Sequence, residues 1–448
     1  MSTDILAAAR QIAVAAPDNV GRLVGKRVPA RRWAEVAAGG LAMPNYHLVT
    51  GIENVPATDI PATGYHTGFR NGLLMPRPET AFRTALEPHT AIVLADVLDA
   101  EGRPVAEAPG AILARQIERL AAHGLRATVA TELEFYLFRT GYAEAHARDY
   151  RDLEAFYHFH GDNDVLISGF AEDFCERLRG LMEEAGMVDE TSQGEGGPGQ
   201  IEINLAPADP EGAARQHAIF KHLTKDLARR EGLAASFMAK LDPHQAGSSG
   251  HVHIRVTDEA GNGVLGAAAG EESPDGLGAR GRAFLAGLVR HARDFQLLHM
   301  PYHNSYKRLR PASFAPTNAS WGGDNRTVMV RTVNRGPAMR FEFRLPGADM
   351  NPWFSIAGIL AAGLAGLEAG AAAPPPVEAS AYDADPDVAS PLARTLGDAI
   401  GAFEASEVAA AGLGPAVRDH LARLARLEWA EELAVVTPWE IRRGFERA

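Results

Sequence analysis

The sequence predicts an α+β fold, with a small strand-rich unit at the N-terminus and a large domain built on an antiparallel sheet. Three observations predict it. Four segments alternate apolar and polar residues along their length, the period-2 signature of strands buried on one face. Elsewhere, apolar residues recur at helical spacing. Of 448 residues, 46% are hydrophobic and 23% charged, which is a globular composition and excludes disorder and coiled coil.

In chain order, residues 1–95 read as short strands and Pro-bearing turns, such as Pro44-Asn45 and Pro76 to Pro78, and form the first domain. Residues 96–448 form the second. Ala91 to Asp96 is an apolar strand and Asp99 to Arg103 a turn. A helix is expected over Ala111–His123, with Ile112, Leu113, Ile117 and Leu120 on one face and Gly124 as its stop. A second helix covers Ala213–Glu231. Gly266 to Gly281 is Gly-rich and of mixed charge, so it reads as a surface loop. Ile356 to Leu367 is the most apolar run. It is too short to span a bilayer and reads as a buried helix. A Pro-rich break at Ala371–Pro376 precedes C-terminal helices near Leu392–Glu404, Ala416–Leu427 and Pro438–Glu446.

The net charge is 44 − 57 = −13, which argues against nucleic acid or an anionic membrane as the main partner. Cys175 is the single cysteine, so no intramolecular disulfide can form and a reducing, cytoplasmic setting is expected. The first residues carry Asp4 and lack a basic stretch followed by an apolar one, so no signal peptide is expected.

The strands carry the chemistry. In Thr128–Phe138, Leu133, Phe135 and Leu137 share one face, and Glu132, Glu134 and Tyr136 the other. Gly199–Leu205 sets Gln200, Glu202 and Asn204 opposite Ile201, Ile203 and Leu205. Gly250–Val256 sets His251, His253 and Arg255 opposite Val252, Ile254 and Val256. Met339–Leu345 sets Arg340, Glu342 and Arg344 opposite Phe341, Phe343 and Leu345. Wet outer faces of half-buried strands normally carry Lys, Thr and Ser, whereas these carry Glu, His, Arg, Asn and Gln. With Glu195 in the preceding loop, Glu132, Glu134, Glu202, Glu342 and His251 can converge on one sheet face. Carboxylates so placed repel one another unless cations sit among them. Oxygen-rich ligands with one imidazole suit Mg²⁺ or Mn²⁺, and six would serve two ions. Arg308, Arg326, Arg331, Arg340 and Arg344 follow within a short stretch. Guanidinium forks beside metal-binding carboxylates suggest phosphoryl transfer, although some of these arginines can serve only to balance the glutamates.

Seven motifs in this order resemble the glutamine synthetases. They are Thr131–Phe138 (TELEFYLF), Glu195–Glu202 (EGGPGQIE), Gly247–His253 (GSSGHVH), Asn304–Arg308 (NSYKR), Asp324–Thr327 (DNRT), Arg340–Arg344 (RFEFR) and Asn351-Pro352. The resemblance covers Ala91–Ala448 and is closest in pattern to the γ-glutamylamide synthetases. It implies a β-grasp N-terminal domain and a large catalytic domain. It implies that Glu134, Glu195 and Glu202 hold one metal ion and that Glu132, His251 and Glu342 hold a second, with two or three Mg²⁺ or Mn²⁺ per site. Gly247 and Arg308 would bind the amino-acid end of L-glutamate, and Arg344 its side-chain carboxylate. Arg326 and Arg331 would neutralise the transferring phosphate. Glu190, His253, Arg255, Arg331 and Arg340 would lie along ATP. Members are usually dodecamers of two hexameric rings, with each site formed between neighbouring subunits.

The sequence departs from ammonia-using members at the nitrogen donor. Their flap glutamate, a few residues after the NSYKR motif, is here Phe314. Their N-terminal Asp-Gly-Ser-Ser motif is missing, and the Asn before the glutamate-binding Gly is Ala246. Their regulatory tyrosine motif is reduced to Ala381-Tyr382-Asp383, which argues against adenylylation of Tyr382. The expected function is an ATP-dependent ligase joining glutamate to an organic amine, with Phe314 in the amine pocket. An ammonia-dependent glutamine synthetase and a non-catalytic ring protein are the alternatives.

Overall fold

The structure, a computed structural model, describes residues 2–268, 270–271 and 273–447. The N-terminal part is a five-stranded mixed sheet: β1 (Gln11–Pro17), β2 (Leu23–Pro29), β3 (Leu41–Pro44), β4 (Asn71–Pro76) and β5 (Thr90–Leu98). Its order is β2-β1-β5-β4-β3, with β1 and β5 parallel at the centre and the other pairs antiparallel. Ile12, Val14, Leu74, Val93 and Val97 form its core. The expected boundary at residue 95 falls inside β5, which stays paired with β4 to Leu98. The chain leaves the sheet only there and enters helix α1 (Pro109–Ala122).

The second sheet has eight strands: β6 (Leu125–Phe138), β7 (Asp189–Gly194), β8 (Gln200–Leu205), β9 (Ala234–Ser236), β10 (Gly250–Asp258), β11 (Trp321–Gly323), β12 (Val330–Val333) and β13 (Arg340–Phe343). The order is β11-β12-β13-β10-β6-β8-β7, with β9 paired to the end of β6. The pairs are antiparallel except β11 with β12, at the edge, which are parallel. All four strands read from alternation are present. Β6 starts three residues earlier than expected and β10 ends two later, because their first or last turns pair with each other through Leu125–Asp258.

The apolar faces rest on two layers of helices. Val129, Val252, Ile254, Phe341 and Phe343 pack with α4 (Ala279–Arg290), α5 (Ala292–His299) and α6 (Pro352–Glu368). Leu133, Phe135, Leu137, Ile201 and Ile203 pack with α2 (Glu172–Glu184) and α3 (Pro210–Arg230). Helix α6 is the apolar run, buried along nearly its whole length, and its cap Asn351 accepts from the Trp353 amide at 3.0 Å. Helices α4 and α6 cross in close contact: a Cβ on Gly287 would lie 2.1 Å from the Ala362 carbonyl, and one on Gly366 2.1 Å from that of Ala283.

The Gly266–Gly281 loop ends sooner than expected, since α4 begins at Ala279. Gly281 is there for closeness, because a Cβ would stand 1.8 Å from the Leu265 carbonyl. The C-terminal helices are α7 (Leu396–Ala405), α8 (Glu407–Leu413), α9 (Pro415–Leu433) and α10 (Pro438–Gly444). No helix of the described residues is long and apolar enough to cross a membrane.

Candidate active site

Strand register aligns the polar side chains into three rows across the sheet. Arg331, Glu342 and His253 pair successively across β12, β13 and β10. His251 pairs with Glu132, and Glu132 with Asn204, across β10, β6 and β8. Glu134 pairs with Glu202, and Glu202 with Gln193, across β6, β8 and β7. Residues from six separate strands therefore meet because the alternation places them on one face.

Oxygens of Glu134, Glu195 and Glu202 lie within 4.8 Å of one another, as the first expected metal triple requires. Their hydrogen-bond partners are neutral. Gln193 donates to Glu195 and Glu202 at 3.2 Å, Gln200 to Glu134 at 3.1 Å, and the Ser249 amide and hydroxyl also donate to Glu134. Burial, then repulsion from Glu134, pushes Glu195 up to about 8. Burial and the surrounding Glu132, Glu134, Glu195 and Glu342 push Glu202 well above the usual carboxylate range. A bound cation removes this frustration, so the donor set fits a hard divalent ion.

The second expected triple is drawn together differently. His251 Nδ1 lies 3.3 Å from Glu132 and 3.5 Å from Glu342. The groups whose ligand atoms all lie within 4.8 Å are Glu132–Glu202–His251 and Glu132–His253–Glu342, so Glu132 is shared. Glu342 is turned towards arginines: Arg331 Nη1 donates at 2.8 Å and Arg344 Nη1 also donates. Burial opposes ionisation of Glu342, but Arg344 and the two histidines hold it below its ordinary range. Burial likewise opposes ionisation of Glu132, and hydrogen bonds from His251 and His253 overcome it. Burial and the Arg344 charge pull His251 down, which keeps the imidazole neutral, the form that can ligate a cation. Arg340 Nε donates to His253 Nδ1 at 3.1 Å. The proton of His253 is thereby fixed on Nε2, which faces Glu132 at 2.7 Å.

A cleft of about 480 Å³ opens beside this face, lined by Glu132, Glu190, His253, Arg255 and Arg340 together with Thr128, Ala130, Leu205 and Pro207. Four of the five expected nucleotide-side residues therefore share one cavity, and Arg331 stands apart on Glu342. At the other end of β6, Gly247 is confined: a Cβ would lie 2.6 Å from Arg308 Cγ and 2.8 Å from the Ala239 carbonyl. Arg308 is buried and donates to the carbonyls of Arg344, Leu345 and Pro346. Burial draws it down to about 10. The Nε atoms of Arg308 and Arg344 are both buried without an acceptor. Arg326 is exposed on the 324–327 turn and, among the described residues, has no hydrogen-bond partner. The supporting Gln193 had no signal in the sequence, whereas Ser249 lies inside the GSSGHVH motif and Gln200 stands on the polar face.

A family model for the catalytic domain of glutamine synthetase matches residues 106–444. The chain belongs to the glutamine synthetase family. It is 39% identical over 437 residues to a γ-glutamylethanolamide synthetase, GlnA4, of Streptomyces coelicolor, covering 97% of this chain and 92% of that one. It is 35% identical to a glutamate–isopropylamine ligase of a Pseudomonas species, covering 89% and 85%. It is 33% identical to a glutamine synthetase of Mycobacterium tuberculosis, covering 79% of each. A solved structure of GmaS in complex with ADP aligns with a TM-score of 0.86 at 30% identity, covering 99% of both chains.

Within this glutamine synthetase fold, the segment after Arg308 is where the flap is expected. Phe314 is 63% exposed, so it is not a core residue. It and Ala312 hold positive φ, 56° and 59°, a region that residues with a Cβ rarely adopt. Arg344 Nη2 donates to the Phe314 carbonyl at 3.3 Å, which ties the flap to the Glu342 arginine. Asp324, an acid nearby in sequence, is engaged by Arg331 Nε at 3.0 Å. Tyr136 Oη donates to the carbonyl of Ala246 at 2.8 Å, and a Cβ on Gly197 would fall 2.0 Å from the tyrosine hydroxyl.

Proposed function

We propose that the chain is an ATP-dependent ligase that joins the γ-carboxylate of L-glutamate to an organic amine. The observation that carries this reading is Phe314. It stands, exposed and held by Arg344, where ammonia-using members have a flap glutamate, while the carboxylate and arginine face is kept in full. The named activities of the ethanolamide synthetase and the isopropylamine ligase support it. The retained, electrostatically frustrated carboxylates speak against a non-catalytic ring protein, since they burden a fold that makes no use of them.

In this reading Glu134, Glu195 and Glu202 hold one Mg²⁺ or Mn²⁺, and Glu132, His251 and Glu342 a second, with two or three ions per site. Such ions, when bound, neutralise phosphate oxygens. The nucleotide lies in the cleft along Glu190, His253, Arg255 and Arg340. Gly247 and Arg308 receive the amino-acid end of glutamate, and Arg344 forks its side-chain carboxylate, where the unpaired Nε atoms await an anionic partner. Arg326 and Arg331 balance the charge of the transferring phosphoryl group. A γ-carboxylate oxygen attacks the γ-phosphorus of ATP and ADP leaves. The neutral amine nitrogen then attacks the acyl carbon, the C–O bond to phosphate breaks, and the nitrogen gives up a proton. The N-terminal sheet, whose last strand runs to Leu98, is read as a β-grasp domain and the remainder as the catalytic domain, with the expected division between residues 95 and 96 moved to the end of that strand. The working assembly is read as a homo-oligomer, a dodecamer of two hexameric rings, and the cytoplasm as its compartment.

A phenyl ring neither attracts ammonium nor accepts its proton, and general-base help of that kind is worth about 10²–10⁴-fold. Burying the carbon of an amine against it is worth roughly 1.5–3 kcal/mol. The test is the ratio of specificity constants for ammonia and for a panel of amines, followed by phosphate release. Wild type should favour an alkylamine or ethanolamine. Phe314→Glu should raise activity with ammonia and lower it with the best amine. Ammonia as the best wild-type donor would overturn the amine reading in favour of a plain glutamine synthetase.

A further inference from the structure

We propose that Tyr382 is a positioning residue that clamps the 310–316 flap and so holds Phe314 at the nitrogen-donor entrance. The role of the entrance rests on the amine-ligase reading, whereas the clamp itself rests on geometry. Tyr382 Oη donates to the Ala315 carbonyl at 3.2 Å, and the preceding carbonyl, that of Phe314, accepts from Arg344. The backbone amides of Phe314 and Ser313 also face the tyrosine oxygen. Two donors from distant parts of the chain therefore grip adjacent flap carbonyls.

The flap needs such a grip. Ala312 and Phe314 both hold positive φ, a conformation that persists only where surrounding contacts impose it. The Phe314 ring is largely exposed and does not anchor the segment by packing. Its remaining ties are local, from Ser313 Oγ to the Arg310 carbonyl at 2.6 Å, or peripheral, from Arg310 to the Pro243 carbonyl at 3.2 Å.

Tyr382 is a firm anchor because its own segment is tied down. Asn325 Nδ2 donates to the carbonyls of Val377 and Ala379 at 2.9 and 2.8 Å. Thr327 Oγ1 accepts from the Ala381 amide at 2.9 Å, and Asn318 donates to the Ala381 carbonyl. Asn325 and Thr327 flank Arg326. The strap 377–383 therefore fixes two things at once, the turn that carries Arg326 and the flap that carries Phe314. This gives the tyrosine a use in a chain that has lost the surrounding regulatory motif.

The experiment uses the full-length protein and two variants, Tyr382→Phe, which keeps the ring and deletes the hydroxyl, and Tyr382→Ala. Deuterium exchange of peptides covering 310–318 should quicken severalfold in both, with the sheet strands unchanged. In Tyr382→Phe, KM for the preferred nitrogen donor should rise about fivefold, the usual worth of one neutral hydrogen bond. KM for ATP and for glutamate should stay within about twofold, and the preference for amine over ammonia should narrow. Unchanged exchange over 310–318, or an equal rise in all three KM values, would overturn the clamp. Should wild type prefer ammonia, the amine reading fails on its own, and the exchange data with the ammonia KM still decide the role of Tyr382.

Discussion

Cation binding should expel protons, and the number follows from the carboxylate cluster. The perturbation is addition of Mn²⁺ to metal-free protein at pH 7. Glu195, pushed up to about 8, holds a proton in roughly nine-tenths of molecules at that pH. Glu202 is shifted in the same direction, by burial and the four carboxylates around it. A divalent cation needs both as carboxylates, while His251 is held neutral and adds none. About nine-tenths of a proton should therefore leave per site at pH 7 from Glu195 alone, and any proton on Glu202 adds to it. At pH 9.5 Glu195 is ionised beforehand, and the number should fall by about nine-tenths. Apparent affinity should climb at least about tenfold per pH unit near pH 6–7 and more gently above 8. Calorimetry in two buffers of different ionisation enthalpy reads the count directly. Zero release at pH 7, or the same release at pH 7 and 9.5, would refute the reasoning. Stability gives a second reading of the same groups. A carboxyl raised on folding makes the native state bind more protons than the unfolded one between about pH 4.5 and 8. The metal-free protein should lose stability as pH rises through that window, and saturating Mn²⁺ should flatten the loss.

Two further substitutions separate charge frustration from function. Glu202→Gln removes the carboxylate crowded by four others, so the melting temperature of metal-free protein at pH 8 should rise by about 2 °C while Mn²⁺-dependent phosphate release disappears. Differential scanning fluorimetry with and without Mn²⁺ checks both halves, and a lower melting temperature would contradict the first. Arg344→Lys should raise KM for glutamate more than about tenfold, with a change under about threefold for ATP, because an ammonium cannot reproduce a guanidinium fork. Steady-state kinetics with each substrate varied in turn tests it.

The strands of the site were legible because charged and amide side chains recur at every second position over the stretch that builds the site, and the sheet keeps that alternation by resting its other face on α2 to α6. Helix α2 carries the same kind of signal in Phe174, Leu178, Leu181 and Met182, all buried, but holds no site residue and falls outside a reading built on motifs. Gly281 misled in an instructive way. Its missing side chain reads as a loop signal, yet it serves the close approach of α4 to Leu265. In the site, the carboxylates were legible and their partnerships were not. Which histidine stands nearest Glu342 depends on Arg331, Arg340 and Arg344, which β12 and β13 bring in from some eighty residues downstream. The conformation of the flap was equally hidden, since it is set by contacts from Arg344 and Tyr382 and not by residues within it.

Strand β6 explains why the parts lie in a workable order. Read along its polar face, Thr128, Ala130 and Glu132 line the cleft, Glu132 and Glu134 face the two carboxylate groups, and Tyr136 reaches Ala246 next to Gly247. Same-face neighbours on a strand are about 6.6 Å apart. In the proposed reading, nucleotide, cations and acceptor would be set out in sequence along roughly 26 Å of one strand, with the transferring phosphate at its middle. Across the sheet the charge is divided. Glu342 is neutralised by Arg331 and Arg344, whereas Glu134, Glu195 and Glu202 have only neutral donors. The uncompensated half calls for cations, and the arginine half is free to grip anionic groups that arrive with the substrates. Phe314 hangs from Arg344, on the arginine half. In the proposed reading a nitrogen donor enters there, and because alkylamines, ethanolamine and ammonia are all cationic at neutral pH, the preference for the organic amine has to come from the carbon it buries against Phe314.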